Sequence, residues 1–420
     1  MSTADVESTA PRATRIAGML ITDHVLTLPL DHDQSVGEQI EVFAREVTFP
    51  GGEDRPYLVF LQGGPGHEAP RPTGHPFAPA WLERALHDYR VLMFDQRGTG
   101  RSTPYGAPAS DPAADARRLA HFRADAIVRD AESFREHLGV RRWSLLGQSF
   151  GGFCSLHYMC AAPDSLREVY FTGGLPPVGR PVDEVYAATF ARMRRLNERY
   201  HRRFPQDRQR LAKLLTLCDE GQVQDPGGKV VSRQLMRTIG HPLGMDGGAE
   251  AVHYLLERDP SSPAFVHDLA AMLPFSGRNP LYAILNESSY ADGGATRWSA
   301  ERVKPEDFQG DSLLFTGEHV LPVHFEDLPE LRPYRQVAGA VADHPWPRLY
   351  DADVLSTVDV PCAALIYADD PYVDRVFSEE TADLLPGMRR WLTDEYLHNG
   401  ISVGGGHALD RLIGLARGTV

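Results

Sequence analysis

A serine stands at the centre of Gly147-Gln148-Ser149-Phe150-Gly151, between the apolar run WSLL and the helix-forming run FCSLHYM. Glycines on both sides of a serine, between a strand and a helix, mark a strained turn that leaves a nucleophilic hydroxyl exposed. A hydroxyl is a weak nucleophile, so a base must take its proton and a carboxylate must orient that base. On such a scaffold the acid and then the base follow the serine along the chain. The late apolar run CAALIYA ends in Asp369-Asp370, which places a carboxylate where the acid should emerge, with Asp374 as a rival. Beyond Asp370 stand only two histidines, His398 in EYLHNG and His407 in VGGGHALD. Spacing alone leaves the choice between them open.

Acyl transfer also needs donors for a developing oxyanion. Gly63-Gly64-Pro65-Gly66, directly after the run LVFLQ, supplies backbone N–H groups on a loop that can approach a substrate closely. The amide of Gly64 and that of Phe150, the residue after the nucleophile, are the two candidate donors.

The elements that must position these groups read as follows. Residues 19–28, 39–48, 57–62, 89–95, 143–146 and 169–172 are strand candidates, and 124–138 has helical spacing. Strands that end in glycine-rich loops and alternate with helices predict a mainly parallel α/β sheet, with the ligand at the carboxyl ends of the strands. From about residue 177 the pattern turns helical, over 183–203, 211–218, 232–238 and 249–256. Strand grammar returns with PCAALIYADD and 389–393, and a last helix is expected over 408–417. The chain therefore reads as an α/β core in two parts, 1–176 and 351–420, with a mostly helical cap inserted at 177–350.

Composition narrows the function. The 420 residues carry 43 basic and 57 acidic side chains, a net charge of −14 that argues against a nucleic-acid partner. The Arg-rich stretch 194–210 contains Glu198 and Asp207 and reads as a solvated helix face. Four scattered cysteines, Cys154, Cys160, Cys218 and Cys362, form neither a disulfide framework nor a C-x-x-C pair. Cys154 reads as a small buried residue. The segment MSTADVESTAPRATR is no secretory signal, so a cytoplasmic setting is expected. Residues 143–163 lack charge over a membrane-spanning length, yet Gly147, Gln148, Ser149, Gly151, Gly152 and His157 fit a buried strand, turn and helix better.

GGPG, DQRGTGRS (95–102) and GQSFGG (147–152), joined by FTGEHVLP, YADDPYVD and WLTDEYLHNG, resemble the prolyl aminopeptidases, or proline iminopeptidases, of the longer bacterial type. The resemblance covers most of residues 55–418. It implies an α/β-hydrolase core under a helical cap, with Ser149 as nucleophile, Asp370 as acid and His398 as base. It also implies that Glu287 (LNESSY) and Glu318 (FTGEH) bind the substrate's ammonium, with Phe315 or Tyr290 against the proline ring. Asp95 and Arg97 would buttress the site, Arg97 by ordering nearby carbonyls. Gln62 stands where the family's loop often begins with histidine, and Pro371 and VLPVH also depart from its commonest forms.

The expected activity is release of N-terminal proline from small peptides through an acyl-enzyme, with no metal or cofactor and no membrane partner. Two rivals stand beside it. One is an esterase or broader aminopeptidase on the same scaffold, which a cap without paired carboxylates would favour. The other is a non-enzymatic ligand-binding member, weakened by the full set of triad candidates in order.

Overall fold

The computed structural model describes residues 13–34 and 36–420. Residues 1–12, on which most of the signal-peptide reading falls, lie outside them. The strands of the main sheet are β1 (Thr14–Ile16), β2 (Met19–Pro29), β3 (Gln39–Thr48), β4 (Tyr57–Leu61), β5 (Arg90–Asp95), β6 (Trp143–Gln148), β7 (Leu166–Thr172), β8 (Cys362–Tyr367) and β9 (Met388–Thr393). They form one sheet in the order β1-β2-β3-β5-β4-β6-β7-β8-β9. β1 to β3 and the β3–β5 pair are antiparallel, and every pair from β5 to β9 is parallel.

Parallel strands buried on both faces read as unbroken apolar runs, because consecutive side chains enter opposite cores. In β6, Leu145 packs into one core with Val59, Phe94 and the helices α1 (Ala124–His137) and α2 (Phe150–Ala161). Its neighbour Leu146 packs into the other, with Phe60, Leu365 and the C-terminal helix Gly400–Arg417. The uncharged stretch 143–163 is therefore β6, a turn and α2. Among the described residues no helix is long and apolar enough to cross a membrane.

Between Thr172 and Cys362 the described chain consists of helices joined by loops, with two isolated bridges and no strand. Yet β7 and β8 are adjacent in the sheet, with Thr172 opposite Leu365. The helices that matter most for the site are α3 (Val182–Arg203) and α4 (Pro280–Ser289).

Several local expectations need correction. β1 was not anticipated; three exposed residues carry no apolar pattern. The helix expected over 232–238 is present as a short α-helix, Arg233–Met236, and runs on as a 3-10 helix, Arg237–Gly244, containing Pro242. The last helix starts at Gly400, not residue 408, and passes a break at Gly405 (φ 50°) that resembles a loop in the sequence. Asp207 is not solvated: it is buried, accepting from Tyr200 and paired with His253 Nδ1 at 2.8 Å.

Candidate active site

Register gathers the candidate groups at one edge of the sheet. Leu61 of β4 lies opposite Gly147 of β6, Gln148 opposite Thr172, and Tyr367 of β8 opposite Thr393 of β9. The loops that leave these strands carry Gly63-Gly64, Ser149, Asp370 and His398. The chain steps from β4 sideways to β5 and then back across to β6, so this edge lies where the strand order reverses.

Ser149 occupies the turn between β6 and α2 with φ 52° and ψ −124°, a conformation that costs a non-glycine residue free energy. Its N–H donates to Thr172 O at 3.0 Å and its carbonyl accepts from Gly152 N at 2.7 Å. The turn closes only over small neighbours: a Cβ at Gly151 would overlap the carbonyl oxygen of Leu61. Phe150 opens α2, so its N–H is among those a helix leaves free at its start.

Gly63 packs onto the nucleophile, since a Cβ there would lie 3.0 Å from Ser149 Cβ and 3.6 Å from its Oγ. Gly64 follows with φ 126°. The Gln62 carbonyl accepts from Gln96 Nε2 at 2.9 Å, so the loop is pinned through its backbone. Asp95 adds to this: it accepts from Ala69 N at 3.1 Å and takes a two-point contact from Arg71 at 2.8 and 2.9 Å. Arg97, wholly buried, pairs with Asp130 at 2.6 Å and donates to the carbonyls of Leu30 and His121. Both residues are scaffolding for the loops.

Of the three candidate acids, Asp369, Asp370 and Asp374, Asp370 alone meets a histidine. Its Oδ2 lies 2.7 Å from His398 Nδ1, and its Oδ1 accepts from the N–H groups of Tyr372 at 2.9 Å and Val373 at 3.1 Å. Asp370 is 1% exposed and His398 6%. Burial pulls the His398 pKa down, but the Asp370 carboxylate, with Glu318 behind it, holds it above its ordinary value. Asp369 pairs with Arg192 and Arg199, while Asp374 caps the helix Arg375–Asp383. His407 is exposed, with its ring edge-on to Trp391. Two consecutive glycines after β7 link base and nucleophile. A Cβ at Gly173 would lie 3.1 Å from His398 Nδ1, and one at Gly174 would lie 2.5 Å from Ser149 O.

Glu318 sits close enough to His398 and Asp370 to feel both charges, and burial pushes its pKa up to about 7. It accepts a hydrogen bond from the Tyr282 hydroxyl and keeps some accessible surface. Glu287 turns to the next face of α4. Its Oε1 accepts from Ser299 N, its Oε2 is buried without a partner among the described residues, and burial raises its pKa to about 7 as well. Both carboxylates act on the buried hydroxyl of Tyr186, whose pKa burial raises first. Phe315 packs against Tyr200 and His201, while Tyr290 packs on Phe153 and Tyr186 and donates to Tyr372 O at 2.9 Å.

Sequence reading missed Tyr282, Asn286, His241 and Tyr372. Tyr282, Asn286 and Tyr290 recur every four residues on α4, a spacing that puts them on one face. His241, pushed down to about 3 by burial, has Nε2 3.3 Å from the Tyr282 hydroxyl and stacks on Tyr372. Among the described residues no three His, Cys, Asp or Glu side chains gather as metal ligands.

A parallel sheet with a serine elbow, a glycine loop against it and an acid–histidine pair on the last two strands defines an α/β hydrolase. Residues 56–225 match the family model described as alpha/beta hydrolase fold. The chain belongs to the proline iminopeptidase family: it is 43% identical to the proline iminopeptidase of Aeromonas sobria over 417 residues, 95% of this chain and 97% of that one. It is 29% identical over 414 residues to the proline iminopeptidase aneH of Aspergillus aculeatus, 92% of each chain. A solved proline iminopeptidase of Mycobacterium smegmatis aligns over 94% of this chain and 98% of its own, with a TM-score of 0.49 at 16% identity.

Proposed function

We propose that this protein is a serine aminopeptidase that releases N-terminal proline from small peptides through an acyl-enzyme. The observation that carries the reading is the buried Asp370–His398 pair with a second carboxylate, Glu318, within its field. His398 takes the proton of Ser149 Oγ as that oxygen attacks the prolyl carbonyl. The tetrahedral oxyanion accepts from the amides of Gly64 and Phe150. His398 then gives the proton to the leaving amine, and water repeats the sequence to free proline and Ser149.

An ionised Glu318, with Glu287 as the second carboxylate, pairs with the substrate's protonated secondary amine, and the burial of Glu318 strengthens that pairing. Residues 177–350 act as the cap that supplies both carboxylates. Four free cysteines suit a cytoplasmic setting.

The test compares chromogenic proline amide, alanine amide and acyl ester substrates with wild type and Ser149→Ala. Proline amide should be preferred, and Ser149→Ala should be inactive. Ester cleavage without proline-amide cleavage would overturn the peptidase reading in favour of an esterase. Activity surviving in Ser149→Ala would overturn the mechanism.

A further inference from the structure

The backbone that carries His398 is held from both sides by one short segment of the helical region, 241–246. The His398 N–H donates to Gly244 O at 2.9 Å. Leu397 N donates to Asp246 Oδ2 at 3.0 Å, and Asp246 N donates to Asn399 Oδ1 at 2.9 Å. Three consecutive residues around the base are thus bonded to two residues of the segment, and none of these bonds belongs to the sheet.

The same segment grips the acid loop. The Tyr372 hydroxyl donates to His241 O, and its ring stacks on the His241 ring at 5.1 Å. That ring also stands edge-on to His398, with centroids 4.8 Å apart at 86°. Its own N–H donates to Asp370 Oδ1. Gly244 lies so close that a Cβ there would come 2.5 Å from Pro371 Cγ. One element therefore touches His398 directly and the loop that carries Asp370 through Pro371 and Tyr372, 120 residues or more before either in the chain.

We propose that Asp246 and Tyr372 are positioning residues that hold His398 in register with Asp370, so that the base is in place only while segment 241–246 is docked. The helical region then does more than shape a pocket: it completes the geometry of proton transfer. A mobile imidazole loses the fixed tautomer and orientation that its carboxylate gives it, and the chemical step slows while substrate binding, set elsewhere, does not.

This rests on the serine-hydrolase part of the function proposed above, so the test reads the nucleophile without a peptide. The rate of Ser149 labelling by a fluorophosphonate is measured beside kcat and KM for proline amide. Asp246→Ala should label at least about tenfold more slowly and lose kcat in parallel, with KM within about twofold. Asp246→Asn, whose amide oxygen still accepts from Leu397, should recover most of the loss. Tyr372→Phe keeps the ring and should fall between wild type and Tyr372→Leu. The acid limb of the pH–labelling profile should move down in Asp246→Ala, because a loosened imidazole no longer feels Asp370 fully. Asp394→Ala, on the same surface cleft, is the control.

Labelling and pH limb within twofold of wild type in both Asp246→Ala and Tyr372→Leu would overturn the proposal, as would losses that vanish after correction for unfolded protein. Should Asp246→Ala fail to fold, Tyr372→Leu against Tyr372→Phe carries the same comparison, and labelling within twofold of wild type in both would overturn the proposal. A wild-type chain that labels but leaves proline amide intact would sink the substrate assignment and leave this test running.

Discussion

His398 Nδ1 and Asp370 Oδ2 lie 2.7 Å apart on the loops that leave the paired strands β9 and β8. The carboxylate's other oxygen is already committed to two backbone N–H groups, so it is fixed before it meets the imidazole. Asp370→Asn should therefore lower kcat by about 10³- to 10⁴-fold, the loss expected when the base is held in the wrong tautomer. Asp369→Asn, which breaks only ion pairs to Arg192 and Arg199, should stay within a few-fold of wild type. Steady-state kinetics of both variants checks this.

The two downstream histidines separate as cleanly. His398→Ala should abolish turnover, while His407→Ala should retain it, because His407 is exposed and meets only the edge of Trp391. The reverse result would reassign the base.

Glu318 gives the pH dependence a sign. Its pKa is raised to about 7, so its ammonium-binding form appears as pH rises from 6 to 8 and KM for proline amide should fall over that range. Glu318→Gln should raise that KM by about 10- to 100-fold, the worth of a charge-assisted hydrogen bond, and remove its pH dependence. Because Glu318 also lifts the His398 pKa, the acid limb of kcat should move down in the same variant. KM for a neutral ester should hardly change.

Glu287 predicts a stability effect. Its pKa is higher folded, about 7, than its ordinary 4.5, so the folded state binds a proton that the unfolded state has released. The stabilisation is full below pH 4.5 and disappears as pH rises through 7. Glu287→Gln stays neutral, so its Tm should fall less than that of wild type between pH 5 and 8, as followed by calorimetry.

Gly151→Ala should destabilise the protein by about 3 kcal/mol or more, or prevent folding, since the added methyl meets the Leu61 carbonyl rather than a side chain able to yield. Urea unfolding monitored by tryptophan fluorescence gives the number.

The sheet was legible wherever burial on both faces makes a strand uniformly apolar, as in β4, β6 and β8, and wherever a glycine loop ends it. β1 lacks that signal, and the glycines 404–406 concealed a helix that continues past a break. At the site, Ser149, the glycine loop and an acid near Asp369-Asp370 could be placed because their chemistry fixes where they sit relative to strand ends, while the choice of Asp370 over Asp369 and Asp374 came from the family likeness. The pairing of Asp370 with His398 came from the family likeness, since spacing could not discriminate. Tyr372, His241 and Asp246 were invisible for a different reason: their contacts join segments far apart in the chain, and no local pattern records a docking. Glu287 and Glu318 look alike in sequence, and only their partners in the fold, Ser299 N for one and the Tyr282 hydroxyl for the other, tell them apart.

The adjacency of β7 and β8 has a consequence for exchange between relatives. The helical stretch leaves the sheet at one strand and re-enters at its immediate neighbour, so its length can change without disturbing any strand pairing. Loop closure penalises such growth only slowly, by about 0.6 kcal/mol for each doubling. A graft of this stretch from another hydrolase should therefore fold, but it would arrive without Gly244 and Asp246 and leave the imidazole unmoored. Portability of the fold and portability of the chemistry part company at those two residues.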